Sequence, residues 1–597
     1  MAAHPLHTLT LLALLGTTSV TALAGQACPQ GEVSAVLVTA HSYFETNDST
    51  DVGALSWFYG MANWVHADTN EDFLRAELLL RVGDCYDEFL VEESVRLLQQ
   101  LGFIDRAEVT GAPQPDGSVD VVVETWNSWT LQFEPRFRLQ EGFEFAGLDI
   151  TERNLFGRGI VLGGFYRQNR EFLNVGGRFE TPHLLGTRWD ARLQASRTRV
   201  GPAFQQGFFY PFVGEVGRKA AVQSFVQLED QFSYSLPAGE TYSNVVQPYR
   251  QQSSQITAAG RIGRPGRLTI FGGGLSREEW DYRRFPNGAN VIRDEDFGNA
   301  EPAPPLITGI LAPQLRDYST TRVNLILAQR HLSFRRRERL DALRGAQDVA
   351  VGAEAALVLG RSIPLFGSSA VHEDSDFFGR VRLFAGLAPG NWVLASAISV
   401  EGRKIFSEVE DGWKDVLAEF DIYSYWRPSQ NSRHTLFARI SGAGGWSVTG
   451  PFQLTLGGVS GLRGYALDDH PGGRRLIASL EDRIYFASPR NGFIDLGMTA
   501  FVDVGSIWDA GVPFGADSGS LATGGAGLRI GFPGGTRGVT RIDVAFPLNG
   551  PDPFSAPTFR ISAELLGLRR GVEDRQLRRS RRAGGGGGII PDPSVAR

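Results

Sequence analysis

From Ser128 onward, the chain consists mainly of segments of about ten residues in which apolar and polar side chains alternate. Clusters of Gly, Pro, Asn and Asp separate these segments, as expected for antiparallel strands joined by turns. The sequence beyond residue 24 contains no uninterrupted apolar stretch of about eighteen residues, so no transmembrane helix is predicted. Any insertion into a bilayer must therefore use a closed β-barrel, because lipid does not tolerate open strand edges.

Roughly sixteen to nineteen candidate strands can be marked in this region. Clear examples are Thr130 to Leu139, Ile160 to Gln168, Arg188 to Ser196, Val349 to Leu359, Trp392 to Val400, Leu417 to Trp426, Leu436 to Ser441, Leu476 to Phe486 and Thr540 to Pro547. A soluble β-sandwich also alternates, but about 440 residues of this texture without a helical segment would be unusual for that class. We predict a transmembrane antiparallel β-barrel over residues 128–568.

The N-terminus is predicted to be a secretory signal peptide over residues 1–24. An apolar run extends from Leu9 to Leu15, and Ala22-Leu23-Ala24 is a small-x-small cleavage pattern. The run is too short to span a bilayer. A secretory signal would place the rest of the chain in the cell envelope.

Residues 25–127 are predicted to form a small α/β domain with the order β-α-α-β-β. Helical spacing of apolar residues is found over Thr69 to Arg81 and Glu88 to Leu101. Short strands are predicted at Val33 to Thr39, Arg106 to Thr110 and Ser118 to Glu124. A generic ferredoxin-like fold would give a similar pattern.

Two motifs in the C-terminal half contain an arginine and an aspartate. Leu462-Arg463-Gly464-Tyr465 follows a glycine-rich turn, and Phe501-Val502-Asp503-Val504-Gly505 lies some forty residues later. A guanidinium inside a narrow lumen requires a fixed carboxylate, and a bidentate pair also sets its orientation. The alternative is an ordinary hairpin loop with an exposed arginine.

These motifs resemble those of the outer-membrane assembly superfamily, which includes BamA, TamA and the two-partner-secretion transporters. The resemblance extends to Asn154-Leu155-Phe156-Gly157-Arg158-Gly159 and to Leu480-Glu481-Asp482-Arg483. It implies that Arg463, on a loop folded into the barrel, pairs with Asp503 of a strand, with Leu462, Gly464, Tyr465, Phe501 and Gly505 completing the two motifs. It also implies about 16 strands and identifies residues 25–127 as a POTRA domain.

The net charge bears on possible partners, and the cysteine content bears on a possible disulfide. The net charge of −7 argues against a nucleic-acid partner. Cys28 and Cys85 are the two cysteines, and both belong to the domain assigned to the periplasm, where a disulfide is chemically permitted. Whether they are bridged or are two free thiols stays open at this point.

No enzymatic chemistry is predicted. Gly458-Val459-Ser460-Gly461 is not a nucleophile elbow, because Leu462 replaces the final glycine. No Cys and His spacing fits zinc, so no metal or cofactor is expected. The Arg-rich and polyglycine tail, residues 569–597, is expected to be disordered.

Three functions are compatible with these features. The resemblance implies an accessory role in assembling or inserting outer-membrane proteins, with unfolded outer-membrane or secreted polypeptides as clients of the POTRA domain. Translocation of a polypeptide, and a non-catalytic channel or lipid conduit, are the alternatives. The expected location is the bacterial outer membrane, in contact with its lipid bilayer, with the POTRA domain and the tail in the periplasm. The resemblance also implies that clients are templated at a seam between the first and last strands, which would be Thr130 to Leu139 and Thr558 to Leu568.

Overall fold

The computed structural model describes most of the chain. The described residues are 28–41, 68–128, 130–139, 143–168, 172–293, 296–364, 372–373, 375–406, 412–429, 431–458, 461–466, 469–486, 494–531, 538–550, 553–554, 557–565, 574–581 and 589. The predicted signal peptide lies outside them. Among the described residues, no helix is long and apolar enough to cross a bilayer.

The N-terminal domain is a three-stranded sheet with two helices. Its elements are β1 (Val33–His41), α1 (Glu71–Glu77), α2 (Glu88–Gln100), β2 (Ile104–Pro113) and β3 (Val119–Asn127). The central strand β3 pairs in parallel with β1 and antiparallel with β2. Buried apolar residues from the two helices and the sheet form one core. A disulfide joins Cys28 to Cys85, closing the domain between the start of β1 and the start of α2.

The remaining strands are β4 (Leu131–Leu139), β5 (Phe143–Leu155), β6 (Ile160–Gln168), β7 (Leu173–Thr181), β8 (Asp190–Thr198), β9 (Pro202–Tyr210), β10 (Lys219–Ser235), β11 (Asn244–Arg264), β12 (Arg267–Asp281), β13 (Asn290–Ile292), β14 (Glu301–Pro302), β15 (Tyr318–Glu338), β16 (Ala346–Ser362), β17 (His372–Glu373), β18 (Asp376–Leu387), β19 (Trp392–Ile405), β20 (Gly412–Trp426), β21 (His434–Trp446), β22 (Leu454–Leu456), β23 (His470–Gly472), β24 (Arg474–Tyr485), β25 (Asp495–Trp508), β26 (Leu521–Gly531), β27 (Gly538–Pro547) and β28 (Thr558–Leu565). Two further helices are α3 (Pro305–Leu311) and α4 (Arg575–Ser580). Short 3-10 turns occur at Leu184–Gly186 and Ala312–Gln314.

These strands close into a single barrel in which β28 lies beside β4. Strands β22 and β23 form a separate hairpin, and β13, β14 and β17 are two or three residues long. The fold class predicted from the sequence is thereby confirmed. The strand number is not: the ring has twenty long strands among the described residues, rather than the 16 that the resemblance implies.

Side-chain alternation along β15 shows which face of the barrel is apolar. On the outer surface, Val323, Leu325 and Leu327 are 48, 47 and 40% exposed. Arg322, which precedes Val323, and Asn324, which follows it, are buried toward the inside. This arrangement places hydrocarbon outside and charge inside. It is the reverse of a soluble barrel and suits a bilayer.

The barrel has a near end, against the N-terminal domain, and a far end. The turn after β5 defines the near end, since the Asn70 amide donates to the Gly157 carbonyl oxygen at 2.8 Å. Asn154 Nδ2 also donates to Thr69 Oγ1 at 2.9 Å. Because the strands alternate in direction, the 27-residue loop after β21 lies at the far end and the chain after β28 starts at the near end.

One described part of the C-terminal tail differs from the expectation of a disordered segment. Residues 575–580 form α4, capped by Asp574, and Leu577 is fully buried. Composition misleads here, because the helix has one large apolar residue and packs against the barrel rather than forming a core of its own.

Candidate functional site: the lumenal arginine network

The far-end loop, residues 447–473, turns back into the lumen. Its hairpin, β22 paired with β23, is buried along β22. Phe452, Leu454 and Leu456 from the loop pack with inward-facing residues of the wall, including Leu417 and Ile507. Burial of these apolar side chains holds the loop inside, so it is not an exposed hairpin.

Arg463 lies at the tip of this loop and is 8% exposed. Its Nε and Nη2 donate to the two carboxylate oxygens of Asp503 at 2.7 and 2.6 Å. Nη1 donates to Glu481 Oε1 at 2.8 Å and lies 3.9 Å from Asp543. The guanidinium also stacks over the Phe501 ring. The pairing expected from the two motifs is therefore the one that the geometry shows, with a bidentate fork that only arginine provides.

The residues flanking Arg463 fix the loop on three sides. Leu462 is fully buried in the apolar cluster of the loop. Tyr465 Oη donates to the backbone oxygen of Asn549 at 2.9 Å. The Arg463 carbonyl oxygen accepts from Thr558 Oγ1 at the start of β28, so the loop reaches the last strand of the ring.

Two motif glycines allow close approach of the loop to the wall. A Cβ at Gly464 would lie 2.7 Å from the Phe546 carbonyl carbon, which is shorter than real contacts permit. A Cβ at Gly505 would lie 3.1 Å from the Leu476 carbonyl oxygen and 3.2 Å from Leu456 of the loop. Gly464 is required sterically, and Gly505 leaves little room.

The network continues from Arg463 toward the opposite end of the barrel. Glu481 accepts from Arg483 Nε at 2.8 Å, and Arg483 Nη1 donates to Asp341 Oδ1 at 2.8 Å. Tyr425 Oη donates to Asp341 at 2.8 Å, and Arg529 donates to the Asp341 carbonyl oxygen. Arg463 is thus linked to the near-end turn between β15 and β16 through a continuous chain of charge-assisted hydrogen bonds.

Sequence reasoning missed that near-end turn. Leu340, Ala342 and Leu343 are buried, so the turn also folds into the lumen. Arg344 Nε pairs with Asp495 at 2.7 Å at its end. A signal was present, because a turn with three apolar residues is atypical of a solvated connection.

A second cluster lies at the base of the far-end loop. Asp376 accepts from Arg322 Nη2 at 2.6 Å and from Arg403 Nη1 at 3.1 Å. Arg403 also pairs with Asp415 at 2.7 Å, and Asp415 accepts from the Thr449 amide of the loop at 2.7 Å. These residues come from separate strands and carry no local motif, so the sequence does not reveal them.

The N-terminal domain contacts the near end through a titratable pair. Glu77 of α1 lies 3.6 Å from His183 in the turn after β7, and the His183 ring also contacts Phe73. Burial, followed by the negative charge of Asp190, raises the pKa of Glu77 to about 7. Burial, followed by the positive charge of Arg188, lowers the pKa of His183. Both shifts favour the neutral forms, so this contact is a buried polar pair rather than a strong ion pair.

Comparison with known proteins gives a weak likeness. No family model and no curated protein matches the sequence. Among solved structures, BamA from Haemophilus ducreyi lacking POTRA domains 1–3 is 12% identical, with a TM-score of 0.37 over 89% of this chain and 85% of that chain. CdiB from Acinetobacter baumannii is 12% identical, with a TM-score of 0.39 over 89% and 73%. CdiB from Escherichia coli is 14% identical, with a TM-score of 0.35 over 92% and 93%. At these values the overlaps establish neither a family nor a function.

Proposed function

We propose that this protein is an outer-membrane β-barrel of the BamA/TamA-like superfamily with an accessory role in assembling or inserting other outer-membrane proteins. The observation that carries the proposal is the bidentate contact of Arg463 with Asp503 inside the lumen. It joins the two motifs on which the sequence resemblance rests. The N-terminal domain is then the POTRA domain, and the near end faces the periplasm.

The seam between β28 and β4 is the proposed site of action. When this seam opens sideways, an incoming strand would pair with the backbone edge that the opening exposes, as in β-augmentation. The loop carrying Arg463 contacts Thr558 at the start of β28. Fixing this loop therefore positions one edge of the seam.

Photo-crosslinking during client folding tests this mechanism. In the test variant, a photoreactive residue replaces Phe559, which is 51% exposed on β28. In the matched control, it replaces Leu327, which is 40% exposed on β15, half-way round the ring. The proposal predicts that an unfolded outer-membrane client is captured at position 559 and not at position 327. Equal capture at both positions, or none at either, would contradict the seam mechanism.

A polypeptide pore is the second candidate. The inward-facing charges, such as Arg322, Arg330 and Glu354, give a polar lumen that favours transport of hydrophilic material. Ion conductance with no effect on client folding would support this candidate over assembly.

A further inference from the structure

The helix α4 occupies a groove inside the barrel. The chain after β28 starts at the near end, yet residues 574–581 contact the far-end loop and strands β20 and β24 of the barrel wall. Residues 574–581 therefore lie inside the lumen. Its contacts define an internal groove formed by Pro451, Thr455, Glu419 and Arg475.

The first part of the segment is held by specific hydrogen bonds. Asp574 pairs with Arg475 Nη2 of the wall. Gln576 Oε1 accepts from the Thr455 amide at 2.9 Å, while its Nε2 donates to Thr455 Oγ1 at 2.6 Å. Arg475 Nη1 also donates to Gln576 Oε1 at 2.9 Å. Gln576 thus accepts a hydrogen bond from the amide of Thr455 and donates one to its hydroxyl oxygen. Because its amide group uses both its acceptor and its donor, this is a matched pairing rather than a chance contact.

The other end is held by opposite charge. Arg581 pairs with Glu419, and its Nε lies 3.8 Å from Glu401. Glu419 also accepts from the Asp574 amide at 2.7 Å. Both glutamates are almost fully buried. Ser580 Oγ completes the contact by donating to the Pro451 carbonyl oxygen at 2.6 Å.

The apolar part of the contact is one side chain. Leu577 is fully buried in the same cluster as Phe452, Leu454 and Leu462 of the far-end loop. Further along the tail, Ile589 is buried against Val222 and other residues of a different part of the wall. The described parts of the tail therefore touch two regions of the lumen.

We propose that the groove is a docking site for the chain's own C-terminal segment, residues 574–581, and that the docked segment acts as a displaceable plug. A six-residue helix is not stable alone in water, so the groove must supply its order. The plugged state is thus a closed form of the barrel, and undocking opens the path. This inference requires only a barrel in a bilayer and does not depend on client folding.

Single-channel recording in planar bilayers tests the plug on the full chain. Leu577→Glu places a carboxylate in the apolar cluster, while Leu577→Met keeps an apolar side chain of similar volume and is the matched control. The wild type and Leu577→Met are expected to be mostly closed. Leu577→Glu should show an open fraction higher by on the order of tenfold, because an unpaired buried charge is strongly disfavoured. Heat-modifiable gel migration verifies that each variant is folded.

Two milder variants keep the test decisive if Leu577→Glu does not fold. Glu419→Gln weakens the contact with Arg581, and Leu577→Ala removes most of the buried side chain. Each should raise the open fraction over wild type. The plug is overturned if the wild type is already fully open, or if the folded variants conduct as the wild type does.

Discussion

At the residue scale, the Arg463–Asp503 pair fixes the tip of the far-end loop, whose apolar side chains are buried inside the barrel. Arg463 is almost fully buried, and it contacts three carboxylates and one aromatic ring, those of Asp503, Glu481, Asp543 and Phe501. A buried pair of this kind contributes little beyond an apolar replacement, but removal of one partner leaves an uncompensated charge. The consequence of a single substitution should therefore be large.

We expect Arg463→Ala and Asp503→Ala each to lower the free energy of unfolding by about 3–5 kcal/mol. Arg463→Lys should be intermediate, because it keeps the charge and loses the bidentate fork. Thermal loss of heat-modifiable migration measures the effect. Arg192→Ala is the control, since Arg192 pairs with Glu180 at 3.5 Å and both side chains are exposed, by 61 and 39%. If Arg463→Ala melted no earlier than Arg192→Ala, the loop would not depend on the Arg463–Asp503 pair.

A second prediction at this scale concerns the space around Gly464. Gly464→Ala introduces a Cβ 2.7 Å from backbone of Phe546, so the loop must move away from β27. The expected results are faster proteolysis of the loop and a lower melting temperature, with a loss of about 1–3 kcal/mol in the free energy of unfolding. Gly164→Ala is the control, because a Cβ there meets nothing within 4 Å. Equal behaviour of the two variants would show that the loop has room at this point.

At the element scale, the contact of α1 with the near end should depend on pH. The pKa of Glu77 is about 7 in the folded protein against an ordinary value of 4.5. The folded state thus binds the proton more tightly, and its stabilisation is present below pH 4.5 and lost as pH rises through 7. His183 acts oppositely: its lowered pKa gives stability above its ordinary value of 6.5 that is lost as pH falls.

We expect Glu77→Gln to remove the loss at higher pH, a difference on the order of 1–3 kcal/mol between about pH 5 and pH 8. Urea unfolding of the N-terminal domain in the full chain measures it at both pH values. The control is Glu92→Gln, on the exposed face of α2, which should leave the pH profile as in the wild type. A pH profile unchanged by Glu77→Gln would show that this carboxyl does not couple to docking.

Some elements of the structure could be predicted from the sequence, and others could not. Predicted strands such as Trp392 to Val400 lie within observed ones, because alternation reports a half-buried strand directly. The predicted helix Thr69 to Arg81 is only Glu71–Glu77 in the structure, since Leu78 is extended and its apolar neighbours continue the core outside the helix. The Arg463–Asp503 pair was predictable from two local motifs. Asp341, Arg403 and the helix α4 were not, because tertiary contacts alone bring them to the lumen.

At the scale of the whole molecule, the barrel has an apolar outside, a charged inside and segments entering the lumen from both ends. The far-end loop and the near-end turn at 339–345 are connected by Arg463, Glu481, Arg483 and Asp341. The network therefore braces the barrel along its length. The outer face should then behave as a lipid-facing surface.

We expect Leu327→Arg, near the middle of β15, to oppose insertion into liposomes by about 2–4 kcal/mol. Ile262→Arg, near the end of β11 and equally outward-facing, should cost about 0–1 kcal/mol. Folded fractions in lipid vesicles over a urea titration compare the two. Equal costs would mean that the strand centres do not lie in the hydrocarbon region.

The most direct test of the proposed assembly function is the folding rate of a small outer-membrane barrel in liposomes that contain this protein. Liposomes with a passive outer-membrane barrel of similar size, at the same density, control for bilayer defects. Assembly predicts faster client folding with this protein than with the passive barrel. Identical rates in the two preparations would contradict it.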